Sequence, residues 1–109
     1  MSTTARQMKD SVYAQLARIG KALSAPKRIE LLDLLAQGPR TVEALAVEAA
    51  LSVANASQHL RLLRAAHLVS SEKRGLYVES RLADAQVGRF VVALRNLATS
   101  QLAEVDAIV

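Results

Sequence analysis

A chain of 109 residues is about one domain long, and 51% apolar against 22% charged residues excludes a disordered polyelectrolyte. Ala, Leu and Val carry the apolar weight, aromatics are only 3%, and Gly and Pro number four and two, a mixture that favours helices over strands. The lack of cysteine removes disulfides, thiolate metal sites and thiol redox chemistry, while a net charge of +4 is compatible with a polyanionic partner without demanding one. No apolar run approaches the roughly 18 residues of a membrane span, and the N-terminus has no apolar signal core. The expectation is therefore one soluble, cytoplasmic domain over residues 1–109.

The first helix is predicted over about 4–23, where Met8, Val12, Leu16, Ile19 and Leu23 recur on one stripe. Ser24 is the expected cap of a second helix with Pro26 in its first turn and Ile29, Leu32 and Leu35 as its buried face. Gln37-Gly38-Pro39 ends it. Thr41 caps a short third helix with Val42, Leu45 and Ala46 inward. Ala49-Ala50-Leu51 is a turn, and Ser52 caps a fourth helix from Val53 to about Ala66. Val53, Ala56, Leu60 and Leu63 share one side of that helix. The period then changes to two: residues 68–82 read as two strands around a Gly-containing turn, with Leu76, Val78, Ser80 and Leu82 alternating against Tyr77, Glu79 and Arg81. Asp84 caps a last helix over about 84–109. The fold class is thus mainly α with a small β-hairpin, in the order α-α-α-α-β-β-α. A helix-turn-helix over about 41–66 followed by a wing over about 68–82 is a winged helix-turn-helix.

The outward side of the fourth helix carries the functional signal. Ala54, Asn55, Gln58 and Arg61 project away from its core positions, with Ser57 and His59 on the flanks. Small residues let a helix enter a major groove closely; Asn and Gln pair with adenine, and Arg with guanine or phosphate. Ser57 and His59 suit phosphate oxygens, and the capping residues Thr41 and Ser52 complete the helix side of this surface. Lys73 and Arg74 beside Gly75 place two cations at the hairpin tip. From His59 to Arg81 five cations (Arg61, Arg64, Lys73, Arg74, Arg81) face two acids (Glu72, Glu79), so a net +3 of the chain's +4 lies here. Nucleic-acid binding is the leading reading. A solvated helix face is the bland alternative, and a winged-helix protein-interaction module without DNA binding is the competing function.

The stretch Leu51 to Val69, LSVANASQHLRLLRAAHLV, resembles the recognition helix and following strand of ArsR/SmtB-type repressors, and Leu23 to Leu32, LSAPKRIELL, resembles the opening of their second helix. The resemblance spans about residues 13–106. It implies a homodimer that occupies a palindromic operator on double-stranded DNA, paired through its first and last helices. Those helices carry apolar stripes longer than one small domain needs: Met8, Val12, Leu16 and Ile19 on the first, and Val87, Val91, Leu94, Leu102 and Val105 on the last. Packing onto their own subunit is the alternative. The family's Cys-x-Cys metal motif is absent from Thr41 to Glu48, and the last helix has no His for the family's Asp–His site. His59 and His67 stand roughly 12 Å apart along a helix, too far to chelate one ion within it. No metal site and no cofactor are expected, and the resemblance assigns no inducer.

No enzymatic constellation is found. Ser57 and His59 point about 200° apart on a helix, no Gly-rich phosphate loop exists, and Asp84, Glu104 and Asp106 form no carboxylate pair. Some relatives fuse this domain to a C-terminal sulfurtransferase-like domain, and an end at Val109 inside a periodic helix fits a fragment of such a protein.

Overall fold

Short polar side chains open four of the five helices. The computed structural model describes residues 4–108, with side chains through Glu104, so the interface expected at Val105 lies outside the described side chains. The elements are α1 (Ala5–Ala22), α2 (Pro26–Leu35), β1 (Arg40–Thr41), α3 (Val42–Glu48), α4 (Val53–Ala65), β2 (Val69–Arg74), β3 (Tyr77–Leu82) and α5 (Ala85–Ile108). Thr4 accepts from the Gln7 amide while the Gln7 side chain accepts from the Thr4 amide, a reciprocal capping box. Thr41 accepts from the Ala44 amide, Ser52 from that of Asn55, and Asp84 from those of Gln86 and Val87.

The exception is α2. Ser24 does not cap it: its hydroxyl turns back and donates to Lys21 O at 2.6 Å. Ala25 takes the cap position without a side-chain bond, in the extended conformation that a following proline imposes. Because Pro26 has no amide to satisfy, the missing cap is inexpensive.

Two helices stop the same way. At the end of α3 the Leu51 amide donates to Ala46 O and the Ala50 amide to Val47 O; at the end of α4 the Leu68 amide donates to Leu63 O and that of His67 to Arg64 O. Both are Schellman motifs, and both seat a residue other than glycine in the left-handed region, Ala50 at φ 55° and His67 at φ 62°. A side chain there costs about 1–2 kcal/mol, partly offset in a glycine variant by its greater freedom when unfolded. Ala50→Gly is therefore expected to raise stability by roughly 0.5–1 kcal/mol in urea titrations. A loss of stability would show that the turn is not strained.

The hairpin gains a third strand. β1 pairs antiparallel with β3, Arg40 opposite Ser80 and Thr41 opposite Glu79, and the sheet order is β1-β3-β2. Two residues give no periodic signal, which is why β1 escapes a sequence reading. The β2–β3 turn is Gly75-Leu76, with Arg74 opposite Tyr77. Gly75 has φ 62°, the only positive φ in the turn, as a type II′ hairpin requires. Leu76, expected within the second strand, instead sits exposed in the turn.

The core gathers Leu31, Leu32 and Leu35 from α2, Leu45 from α3, Leu60 and Leu63 from α4, Leu68 and Val69 before the wing, and Val87 and Val91 from α5. Three expectations are corrected here. Leu31 replaces Ile29 on the buried face of α2, because α4 and α5 both pack on that helix and take its Leu31/Leu32/Leu35 side. Val53 is exposed, since the first residue of α4 extends beyond the elements its inner face covers. Val87 and Val91 are consumed by their own chain's core and are not available to a second subunit. No helix among the described residues is long and apolar enough to cross a membrane.

Candidate nucleic-acid interface

The fourth helix is anchored on one side and free on the other. Ala56, Leu60 and Leu63 are fully buried, which fixes the rotation of α4 on α2, α3 and β2. At about 100° per residue, Ala54, Gln58 and Arg61 then point almost directly away, and all three are exposed, as is Asn55. Val53, at the first position of α4, is exposed too, although its phase with Ala56 and Leu60 reads as core.

The two flanks of α4 meet different neighbours. On one, His59 is half-buried and its Nδ1 lies 3.3 Å from the Arg28 guanidinium of α2. Arginine can only donate, so Nδ1 accepts and the imidazole proton sits on Nε2. On the other flank lie Ser57, half-buried, and Arg64, which donates to Ser71 Oγ at 3.1 Å. Ser71 in turn is 3.3 Å from the fully buried Ser80 hydroxyl. Arg64 thus ties the end of α4 to the sheet of the wing. This contact was invisible in the sequence, where Arg64 was only one more charge.

The wing's cations are not equivalent. Strand alternation places Val69, Ser71 and Lys73 on the sheet face toward α4, with Val78, Ser80 and Leu82 opposite them. Glu72 and Glu79 pair directly across the other face, a like-charge contact. Arg81 lies 2.9 Å from Glu79 and 3.7 Å from Glu72, and Arg74 lies 3.4 Å from Glu72 and 3.7 Å from Glu79. That four-residue cluster is neutral. Lys73 makes no ion pair among the described residues and shares the α4 side of the wing. Thr41 and Ser52 are engaged as helix caps, each with a hydroxyl hydrogen still free to donate. No cluster of three or more His, Asp or Glu side chains able to hold a metal ion occurs among the described residues.

On α1, Met8, Val12, Tyr13 and Leu16 are all more than half exposed, whereas Ile19 packs against the core. On α5, Leu94 is half-buried, and Leu97 and Leu102 are exposed at 56% and 62%.

Comparison with known proteins agrees with this geometry. Residues 25–71 match the family described as "Bacterial regulatory protein, arsR family". The HTH-type transcriptional regulator Rv0324 of Mycobacterium tuberculosis is 37% identical over 97 residues, covering 89% of this chain and 43% of Rv0324. This chain therefore spans less than half the length of that relative. The HTH-type transcriptional regulator CmtR of Mycobacterium bovis is 36% identical over 83 residues, 76% of this chain and 68% of CmtR. Among solved structures, the homodimeric winged helix-turn-helix DNA-binding domain of Mb0332 from Mycobacterium bovis, a possible ArsR-family transcriptional regulator, superposes with a TM-score of 0.82 at 35% identity, covering 93% of this chain and 92% of that one. With this family match, a relative 36% identical that the chain covers to 68%, and the winged-helix neighbour, the chain belongs to the arsR family of bacterial regulatory proteins.

Proposed function

We propose that the chain is a cytoplasmic, homodimeric transcriptional repressor that occupies a palindromic DNA operator. The observation that carries this reading is the outer side of α4, where Ala54, Asn55, Gln58 and Arg61 stand exposed on a helix whose opposite side is fully buried. Asn55 and Gln58 have the donor–acceptor pairs that read adenine, Arg61 those that read guanine or grip phosphate, and Val53 and Ala54 suit the thymine methyl. Thr41, Ser52, Ser57 and His59 offer donors that suit phosphate oxygens, which set register. Lys73 carries the wing contact, with Arg74 contributing less because two carboxylates hold it. The exposed apolar stripes of α1 and α5 support pairing of two subunits, as does the homodimeric Mycobacterium bovis domain. A two-fold pair reads half-sites about 34 Å, or a multiple of it, apart.

Anisotropy titration against genomic fragments, with the bound sequence recovered, tests the reading. No binding to any fragment at low salt overturns it in favour of a protein-docking module. On the recovered operator, Gln58→Ala is expected to lower discrimination against mismatched sites by roughly 1–3 kcal/mol. Equal losses on random DNA would remove Gln58 from base reading. Lys73→Ala is expected to lower the slope of log K against log salt by about 1, and Arg74→Ala by less. The reverse order would show that the Glu72/Glu79 cluster opens on DNA.

A further inference from the structure

We propose that the cleft between α1, α2 and α4 is a binding site for a small amphiphilic carboxylate, one with a short apolar body. The cleft encloses about 250 Å³, slightly below the roughly 300 Å³ at which pockets for drug-sized ligands begin. Its floor is apolar, made by the buried Ala22 and Ala66, with the exposed Leu62 and Ala65 at its side, and its rim carries Arg18, Lys21 and Arg28 from two helices. None of these three cations forms an ion pair among the described residues, although eight ion pairs occur elsewhere in the chain. Three cations lining one cleft with an apolar floor and no carboxylate leave a gap that fits an anionic head and a hydrocarbon tail. A bare phosphate would leave the floor empty, and a neutral apolar molecule would leave the rim's charge uncompensated, since Arg18 donates to Gln15 Oε1 and Arg28 to the Ala22 and Lys21 carbonyls, all neutral acceptors.

The cleft is separate from the apolar stripe of α1. Arg18 and Lys21 fall roughly 140–160° round that helix from Leu16, so pairing of the stripe with a second subunit leaves the rim open. It is also joined to α4. Arg28 donates to Ala22 O at 2.6 Å and lies 3.3 Å from His59 Nδ1. A carboxylate binds guanidinium more strongly than a neutral imidazole nitrogen does, so an occupant draws Arg28 away from His59. Resting on the DNA-binding reading, this makes the occupant a regulator of the operator contact, since His59 stands on the recognition helix one turn before Leu62.

The test titrates the full ¹⁵N-labelled chain with octanoate, with octanamide as the neutral counterpart and with inorganic phosphate. Expected are saturable shifts at the amides of Lys21, Ala22, Arg28, Leu62 and Ala65, and an octanoate affinity about tenfold above that of octanamide. The double variant R18Q/K21Q changes only exposed rim side chains and is expected to keep its fold and weaken octanoate several-fold. Octanoate that fails to saturate, octanamide that binds equally, phosphate that shifts the same amides as strongly, or an unaltered affinity in the folded double variant each overturns the site. Saturating octanoate is also expected to change operator affinity several-fold. An unchanged operator affinity overturns the regulatory role, whereas a ligand-free chain that binds no DNA overturns the repressor reading and leaves the octanoate titration interpretable by itself.

Discussion

Leu16→Asp is expected to convert the proposed dimer into folded monomers and to weaken binding to a full palindromic operator by roughly 10²–10⁴-fold. Leu16 is 53% exposed and lies outside the buried cluster, so its replacement removes little from the chain's own core. In a two-fold interface, however, the same side chain is buried twice, and an aspartate there places an unpaired charge in an apolar contact on both subunits. The operator loss follows from linkage alone: once the subunits separate, each half-site is bound independently. The variant's affinity for an isolated half-site should be unchanged, because Ala54, Gln58 and Arg61 are untouched. Sedimentation velocity at several protein concentrations, read beside far-UV circular dichroism, decides the matter. A Leu16→Asp protein that still sediments as a dimer would move the interface off α1. A monomer that has lost its helicity would instead show that the fold depends on association.

The helices were legible because each has a local signal with a local cause. Thr41, Ser52 and Asp84 cap where their hydroxyl or carboxylate oxygens can reach an amide two or three residues on, and nothing distant is needed to read that. The outer side of α4 was legible for the same reason, since burial of Ala56, Leu60 and Leu63 fixes what points outward. What failed was the choice of neighbour. Periodicity says that Val87 and Val91 lie on an apolar stripe with Leu102; it does not say that the first two meet their own chain's core while the third stays exposed. The same ambiguity moved Ile29 outward and Leu31 inward on α2. Ser24 was read as a cap because serine caps often, yet the extended Ala25 before Pro26 displaces it by one residue. A charge count treats the wing's cations as equivalent. Register, which no charge count contains, sets Glu72 opposite Glu79 and thereby draws in Arg74, leaving Lys73 unpaired.

Leu60→Ala is expected to be among the most damaging truncations of the core, lowering stability by about 2–5 kcal/mol. Leu60 is fully buried at the centre of α4, in the cluster with Leu31, Leu32, Leu45 and Leu63, where helices on several sides restrict collapse around the void. For a domain whose total stability is of the order of 5–15 kcal/mol, that is a large share. Each kcal/mol corresponds to roughly 4–8 °C in Tm for a domain near this size. Leu60→Met keeps the volume and should cost less than about 1.5 kcal/mol. The comparison with Gln58→Ala separates folding from reading. Gln58 is exposed two residues away, so its truncation should leave Tm almost unaltered while degrading operator discrimination. Leu60→Ala should do the opposite, with Tm falling, and recovering in part when saturating operator DNA binds the folded form. Thermal melts at one fixed protomer concentration, with and without operator, measure both. A Leu60→Ala protein within about 1 kcal/mol of the parent would mean that α4 is not held by this contact, and the outward aim of Gln58 and Arg61 would lose its physical basis.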